Sequence, residues 1–338
     1  MATWFEKRIR RYEHKRWAQE PDRKVLPFGW GLEHIEGDPS KADPGGFVNR
    51  FAEKALAESE EWFAVTPAVD YALKDNVLTF TSQVVSPWPE NNRVHGQVFR
   101  AGRDGAAVVV LAQWNAQWEE QENVCRWLNR LGITAVKMSL PYHDRRAIPG
   151  HPRGDYLVSP NIGLTLQANR QAVQDVRRTL RWLAEQGYER LGIVGTSIGS
   201  CIGYITMCHE PAIRAGAFLH VSTYFGDVVA NGLTTKKVWE SLAGNVSPEE
   251  LRRYWSPISP FPYVKKLCGA RKGILTISGR YDPTFWPEYT AAFLSKMRQE
   301  RVEFESVWLP CGHYSMGVAP FRYIAGQRVG SFLRRALR

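Results

Sequence analysis

The run AAVVVLAQW at 106–114 constrains the fold most strongly. A strand with one wet face alternates apolar and polar residues. A nearly unbroken apolar run suits a strand covered on both faces, as in a parallel sheet flanked by helices. The sequence around it keeps that rhythm. A helix is expected at about 117–131, then a strand at ITAVKMSL (133–140) and a long helix at about 164–187. The strand RLGIVGTS, the helix IGSCIGYITMCHE and the strand AGAFLHVS follow. After an irregular stretch at 224–262 come the strand GILTISG, the helix PEYTAAFLSKM, the strand VEFESVWL and a closing helix over 319–338. Alternation of this kind predicts an α/β fold with a mainly parallel sheet. In the long helix, Val173, Val176, Leu180 and Leu183 share a face, and Arg177, Arg178 and Arg181 lie mostly off it.

The beginning reads differently. Residues 1–75 look like a helical leader, with Phe5, Ile9 and Tyr12 at helical spacing and RFAEKALAESEEWF (50–63) as a second helix. A loop rich in Gly, Pro and Asp, from FGWGLEHIEGDPS through KADPGG, separates the two. VLTFTSQVV and VHGQVFR then read as strands about the turn-forming SPWPENN, giving the sheet an antiparallel edge. The expected organisation is therefore a helical extension over 1–75 and an α/β domain over 76–338. An insertion at about 224–262 forms a small cap, with an apolar inner face supplied by Tyr224, Phe225, Val228, Val229, Leu233, Val238, Trp239 and Leu242.

Hydrophobic residues make up 44% and charged residues 23% of the 338, which fits a globular domain and excludes a disordered tail, a collagen-like chain and a coiled coil. No run of about 18 uncharged apolar residues is present, and the first residues lack the apolar core of a secretory signal, so a cytoplasmic protein is expected. The five cysteines are scattered with no CxxC pair, which argues against a disulfide framework or a zinc site.

The net charge of +10 gathers at the ends. Residues 1–24 hold eight basic residues against Glu6, Glu13, Glu20 and Asp22, and the last 17 add Arg322, Arg328, Arg334, Arg335 and Arg338 with no acid. Solvated helix faces account for most of this, and weak contact with an anionic membrane surface is a second reading. No nucleic-acid-binding motif accompanies the charge, so no nucleic-acid partner is expected. Neither GxGxxG nor a phosphate-binding loop occurs, so no cofactor motif is present.

The chemistry concentrates in three places. Gly195-Thr196-Ser197-Ile198-Gly199 is a GxSxG pattern. Five residues with three fixed positions recur by chance, but this copy follows an apolar strand and opens a helix. A sharp turn there lifts the Ser197 hydroxyl out of the sheet, and the helix N-terminus adds positive potential beside a developing oxyanion. A serine hydroxyl needs a base, and the base needs an orienting carboxylate. His313, in Pro310-Cys311-Gly312-His313-Tyr314, and Asp282, in Ser278-Gly279-Arg280-Tyr281-Asp282-Pro283, both follow late strands, where open α/β sheets build their sites. Asp282 before Pro283 also reads as a turn former, and Asp227 is its main rival. The other histidines lack that setting beside a glycine. His143, Asp144, His151 and Asp155 match no common metal-ligand spacing, so no metal site is expected.

The order of elements and these three motifs resemble the α/β-hydrolase superfamily over about residues 76–338. The resemblance implies an eight-stranded sheet and a triad of Ser197 as nucleophile, His313 as general base and acid, and Asp282 as orienting carboxylate. It also implies an oxyanion hole from the amide of Ile198 and one from the loop after the third strand. That loop reads Leu111-Ala112-Gln113-Trp114-Asn115-Ala116, without the His-Gly of many members. Trp114 is the expected second donor and Asn115 the alternative. Together with Leu140-Pro141-Tyr142-His143-Asp144-Arg145-Arg146, the loop resembles a branch of bacterial hydrolases similar to α/β-hydrolase domain-containing protein 18. Arg145 and Arg146 would bind an anionic group or, more in keeping with such a loop, form an ion pair beneath it.

The expected function is a serine esterase or lipase-like acyl hydrolase acting on a small-molecule ester, with an apolar cap suited to a hydrophobic or lipid-like substrate. The same triad would also serve a peptidase, a thioesterase or an acyltransferase. A non-catalytic binding protein on a hydrolase scaffold and a membrane-surface adaptor are readings from other classes. The sequence carries no signal for the oligomeric state.

Overall fold

An apolar run can be buried on both faces only if helices cover both, and the computed structural model shows how this chain does so. It describes residues 3–20, 24–38, 43–102, 105–151 and 153–338. Asp22 and Arg23 of the basic leader, and residues 39–42 of the loop after it, lie outside the described residues. The strands are β1 (Ala72–Lys74), β2 (Val77–Thr81), β3 (Arg93–Phe99), β4 (Ala106–Leu111), β5 (Thr134–Met138), β6 (Arg190–Thr196), β7 (Ile213–Leu219), β8 (Gly273–Gly279) and β9 (Glu305–Leu309). They form one sheet in the order β1-β2-β3-β5-β4-β6-β7-β8-β9. The pairings among β1, β2, β3 and β5 are antiparallel, and every pairing from β5–β4 to β8–β9 is parallel.

Along the chain the helices are α1 (Trp4–Ala18), α2 (Pro44–Ala57), α3 (Ser59–Trp62), α4 (Pro89–Asn92), α5 (Glu122–Arg130), α6 (Ile162–Glu185), α7 (Ile198–His209), α8 (Phe225–Asn231), α9 (Lys236–Leu242), α10 (Pro248–Tyr254), α11 (Pro287–Gln299) and α12 (Phe321–Ala336). Every residue of β4 is buried. Its alternate side chains divide between two cores. Ala107, Val109 and Leu111 pack with residues of α6 and α7, while Ala106, Val108 and Val110 pack with residues of α5 and α12. At about 1.5–3 kcal/mol for each fully buried valine or leucine, this strand alone anchors both layers.

Among the described residues nine strands stand where eight are expected. The additional strand is β1, within the stretch read as helical. Asp75 and Asn76 both take a left-handed φ, of 50° and 60°, and make the two-residue turn that joins β1 to β2. The expected boundary at 76 thus falls inside a hairpin turn.

The segment before that hairpin is tied to the domain by polar contacts as well as by its core residues. Phe47, Val48, Ala55, Trp62 and Phe63 join the same cluster as β4 and α6. The arginines off the apolar face of α6 do not face water. Arg177 Nη1 donates to Phe63 O at 2.6 Å, Arg178 Nε to Thr66 O at 2.9 Å and Arg181 Nη1 to Val65 O at 2.7 Å. Residues 62–66 therefore lie over α6, and its arginines satisfy backbone carbonyls that would otherwise be buried without a partner.

Between β7 and β8 the irregular stretch forms α8, α9 and α10, followed by 3-10 turns at Ser256–Ile258 and Phe261–Leu267. Val238 and Leu242 enter the main core. No helix among the described residues is long and apolar enough to cross a membrane.

Candidate active site

β6 ends and α7 begins with only Ser197 between them. Its backbone is at φ 56° and ψ −124°, a conformation that costs a non-glycine residue about 1–3 kcal/mol. The flanking glycines make the turn physically allowed. A Cβ on Gly195 would stand 2.2 Å from Gly199 O, and one on Gly199 would stand 2.5 Å from Ala112 O. Ser197 N donates to Leu219 O at 2.8 Å, and Ser200 N donates to Ser197 O at 2.9 Å. The hydroxyl is thereby carried on a rigid corner.

That corner meets two loops at the same edge of the sheet. Ser197 Oγ lies 3.0 Å from His313 Nε2, and His313 Nδ1 lies 3.0 Å from Asp282 Oδ2. A carboxylate accepts, so Nδ1 carries the proton toward Asp282 and Nε2 is left to accept from the serine. Asp282 Oδ1 accepts from the amides of Thr284 and Phe285 at 2.8 and 2.9 Å. This turn fixes the carboxylate independently of the histidine. The Phe285 ring stacks on His313, with centroids 5.3 Å apart.

A second histidine joins them. His220, at a φ of 63° just beyond β7, places Nδ1 2.7 Å from Asp282 Oδ2, off the line of a well-directed hydrogen bond. Its ring centroid is 4.5 Å from that of His313. No glycine stands beside it in the sequence to set it apart from the other histidines. Its place immediately after a strand was the signal available.

Electrostatics follow from burial and these contacts. Burial opposes the charge on Asp282, but His313 and then His220 hold its carboxyl well below the ordinary range. Burial likewise opposes a charged His313. The Asp282 carboxylate outweighs that and raises it, helped by Glu13 and Glu20. His220 is lowered by burial and by His313, so it gives up its charge more readily than His313 does. The ligand atoms of His220, Asp282 and His313 lie within 4.8 Å of one another. Both oxygens of Asp282 face N–H groups within this cluster.

The rival acid is elsewhere. Asp227, on α8, pairs with Arg252 Nε at 2.7 Å. Ile198 opens α7, so its amide belongs to a first turn whose N–H groups lack intrahelical partners. Trp114 lines the cleft beside Ser197 and fixes its indole by donating to Gly154 O at 2.9 Å. The Asn115 amide is engaged, donating to His143 Nε2 at 2.9 Å. Burial pushes His143 down to about 4, so it is the neutral acceptor this bond requires. Its Nδ1 then donates to Pro141 O at 2.8 Å. Arg146 forms a fully buried ion pair with Asp175 at 2.9 Å, and Arg145 stacks over Trp118. Both arginines are thus committed to structure.

The cleft beside Ser197 is a shallow one, with about 30 Å³ of water-sized space between its walls and a mouth open to solvent. Val158, Ile198, Val228, Val229 and Phe285 give it apolar walls, with Thr223, Thr234 and Thr235 among its polar edges. Residues of the stretch after β7 therefore help to line it. None of its described lining residues is charged.

Residues 163–338 match the family model described as the prolyl oligopeptidase family, Peptidase_S9. No curated protein matches the chain significantly. Among solved structures, the Pyrococcus furiosus esterase Pf2001 is 18% identical with a TM-score of 0.56, covering 80% of this chain and 92% of that one. Acetyl xylan esterase 1 from Thermoanaerobacterium sp. is 14% identical with a TM-score of 0.60, covering 86% and 94%. The Pyrococcus horikoshii acylaminoacyl peptidase is 13% identical with a TM-score of 0.60, covering 88% of this chain and 44% of that one. These likenesses show a shared α/β-hydrolase fold.

Proposed function

The chain belongs to the prolyl oligopeptidase family of serine hydrolases, and from that premise we propose that it cleaves carboxylic esters bearing an apolar group through an acyl-enzyme on Ser197. The observation that carries ester over peptide is the uncharged lining of the cleft. An apolar acyl or alcohol group fits such walls. A peptide terminus would bring a charge, and charged side chains such as Arg153, Asp155 and Lys237 line the adjoining pocket beyond Trp114 and Val158 and not the cleft itself.

In this mechanism His313 Nε2 takes the proton of Ser197 Oγ as the oxygen attacks the ester carbonyl. Asp282 stabilises the imidazolium that forms and holds its tautomer. The tetrahedral oxyanion rests on the amides of Ile198 and Trp114. Each such donor is typically worth about 3 kcal/mol of barrier. The C–O bond to the alcohol then breaks, and His313 returns the proton to the leaving oxygen. Water attacks the acyl-enzyme with His313 again as base, and the carboxylic acid departs. His220, close to the same oxygen of Asp282 as His313, lies beside the His313 ring and adds to the support of the carboxylate.

A panel of p-nitrophenyl esters of increasing acyl length, run beside N-acylaminoacyl and prolyl p-nitroanilides, tests the reading. The expected result is ester kcat/KM at least about 100-fold above any anilide. Faster cleavage of an anilide than of every ester would assign the cleft to peptides instead.

A further inference from the structure

The first helix has a largely exposed surface, with Ile9 and Glu13 as its buried residues. A carboxylate is not buried without compensation. Glu13, 0% exposed, reaches the loop that bears His313. Its Oε2 accepts from Tyr314 N at 2.7 Å and its Oε1 from Ser315 N at 2.9 Å, across 301 and 302 positions of sequence. Gly312 admits it. A Cβ there would stand 2.5–2.6 Å from the Glu13 carboxyl and its adjoining carbon. Phe5 of the same helix meets the ring of Tyr281, next to Asp282, edge-on at 6.3 Å. Trp17 lies beneath the ammonium of Lys236, at the start of α9, 5.6 Å away. One helix thus touches the histidine loop, the aspartate loop and the insertion lining the cleft.

We propose that Glu13 is a positioning residue for His313, and that α1 is a working part of the active site. The inference rests on the reading of Ser197, His313 and Asp282 as the catalytic relay. Glu13 grips the amides that follow His313 and so sets where its ring stands between Ser197 and Asp282. It also adds negative charge near the imidazolium. The groups that bear on His313 are Asp282, His220, Glu13 and Glu20. Removing the Glu13 charge lowers the pKa of His313, so the acid limb of activity moves to lower pH.

The test uses the full chain. Glu13→Gln keeps the length of the side chain, removes the charge and turns one acceptor into a donor. Its expected effects are a kcat lower by roughly 10–100-fold, a KM within about threefold of wild type, and an acid limb at lower pH. Arg10→Ala, on the exposed face of α1, leaves all three unchanged. A folded Glu13→Gln with wild-type kcat and acid limb, or a drop in Arg10→Ala as large as that in Glu13→Gln, would overturn the proposal. Gly312→Ala provides a second route, because its methyl displaces the carboxylate without removing it. The double variant is expected to lose less than the product of the two single losses, and a fully multiplicative loss would count against the contact. An NMR titration of His313 needs no turnover. A lower His313 pKa in Glu13→Gln supports the contact even if Ser197 proves inert, and an unchanged one contradicts it.

Discussion

Ser197 is fixed within the sheet, by its own strand and helix and by the two adjacent strands, whereas the loop of His313 is also gripped by a helix from the far end of the chain, across 301 positions from Tyr314 to Glu13. The serine corner is a matter of backbone, its own and that of the neighbouring strands. Gly195 and Gly199 allow main chains to pass where any side chain would collide, and the strand and helix on either side set the direction. The histidine sits on a loop after β9, and α1 closes that loop from outside through Glu13. A nucleophile held within the sheet is rigid as soon as its strand is in place. A base held from a distance becomes accurate only when the far segment docks.

The largest effect should come from breaking the serine corner. Gly199→Val drives a side chain against the carbonyls of Ala112 and Leu111, backbone that has little room to move. The expected cost is roughly 3 kcal/mol of stability and at least about 1000-fold in ester hydrolysis, read by urea denaturation and initial rates. The distant side should yield in smaller steps, with Glu13→Gln as described above. The smallest effect is expected at His220, whose contact with Asp282 is close but poorly directed. His220→Gln should lower kcat by about fivefold, about 1 kcal/mol, with the melting temperature little changed. A loss as large as that of an Asp282 variant would make the second histidine an essential member of the relay.

The same contrast explains what was legible in the sequence. The parallel core was readable from AAVVVLAQW because full burial of a strand leaves no polar alternation. Ser197, Asp282 and His313 were readable because each follows a strand within a distinctive run, and the structure brings them together. β1 was not, because all three of its residues are exposed and carry no burial pattern. Its signal was the Asp75-Asn76 turn. Glu13 was hidden among basic residues on a helix whose surroundings looked like solvent. Arg177, Arg178 and Arg181 were placed correctly off the apolar face of α6, but nothing local indicates that residues 62–66 cover them. His143, a partner from another loop, takes the Asn115 amide, a contact that no local pattern announces. Contacts made within a few residues leave a pattern in the sequence, and contacts made across the chain leave only a residue type out of place.

The most direct measurement is the rate of covalent labelling by a fluorophosphonate, followed against pH for wild type and Ser197→Ala. Wild type should label at Ser197, with an acid limb above the usual histidine value of about 6.5, because the Asp282 carboxylate raises His313 and only its neutral ring can take the serine proton. Ser197→Ala should not label at any pH. A folded wild type that fails to label, or a Ser197→Ala variant that labels as fast as wild type, would contradict a catalytic serine at this corner.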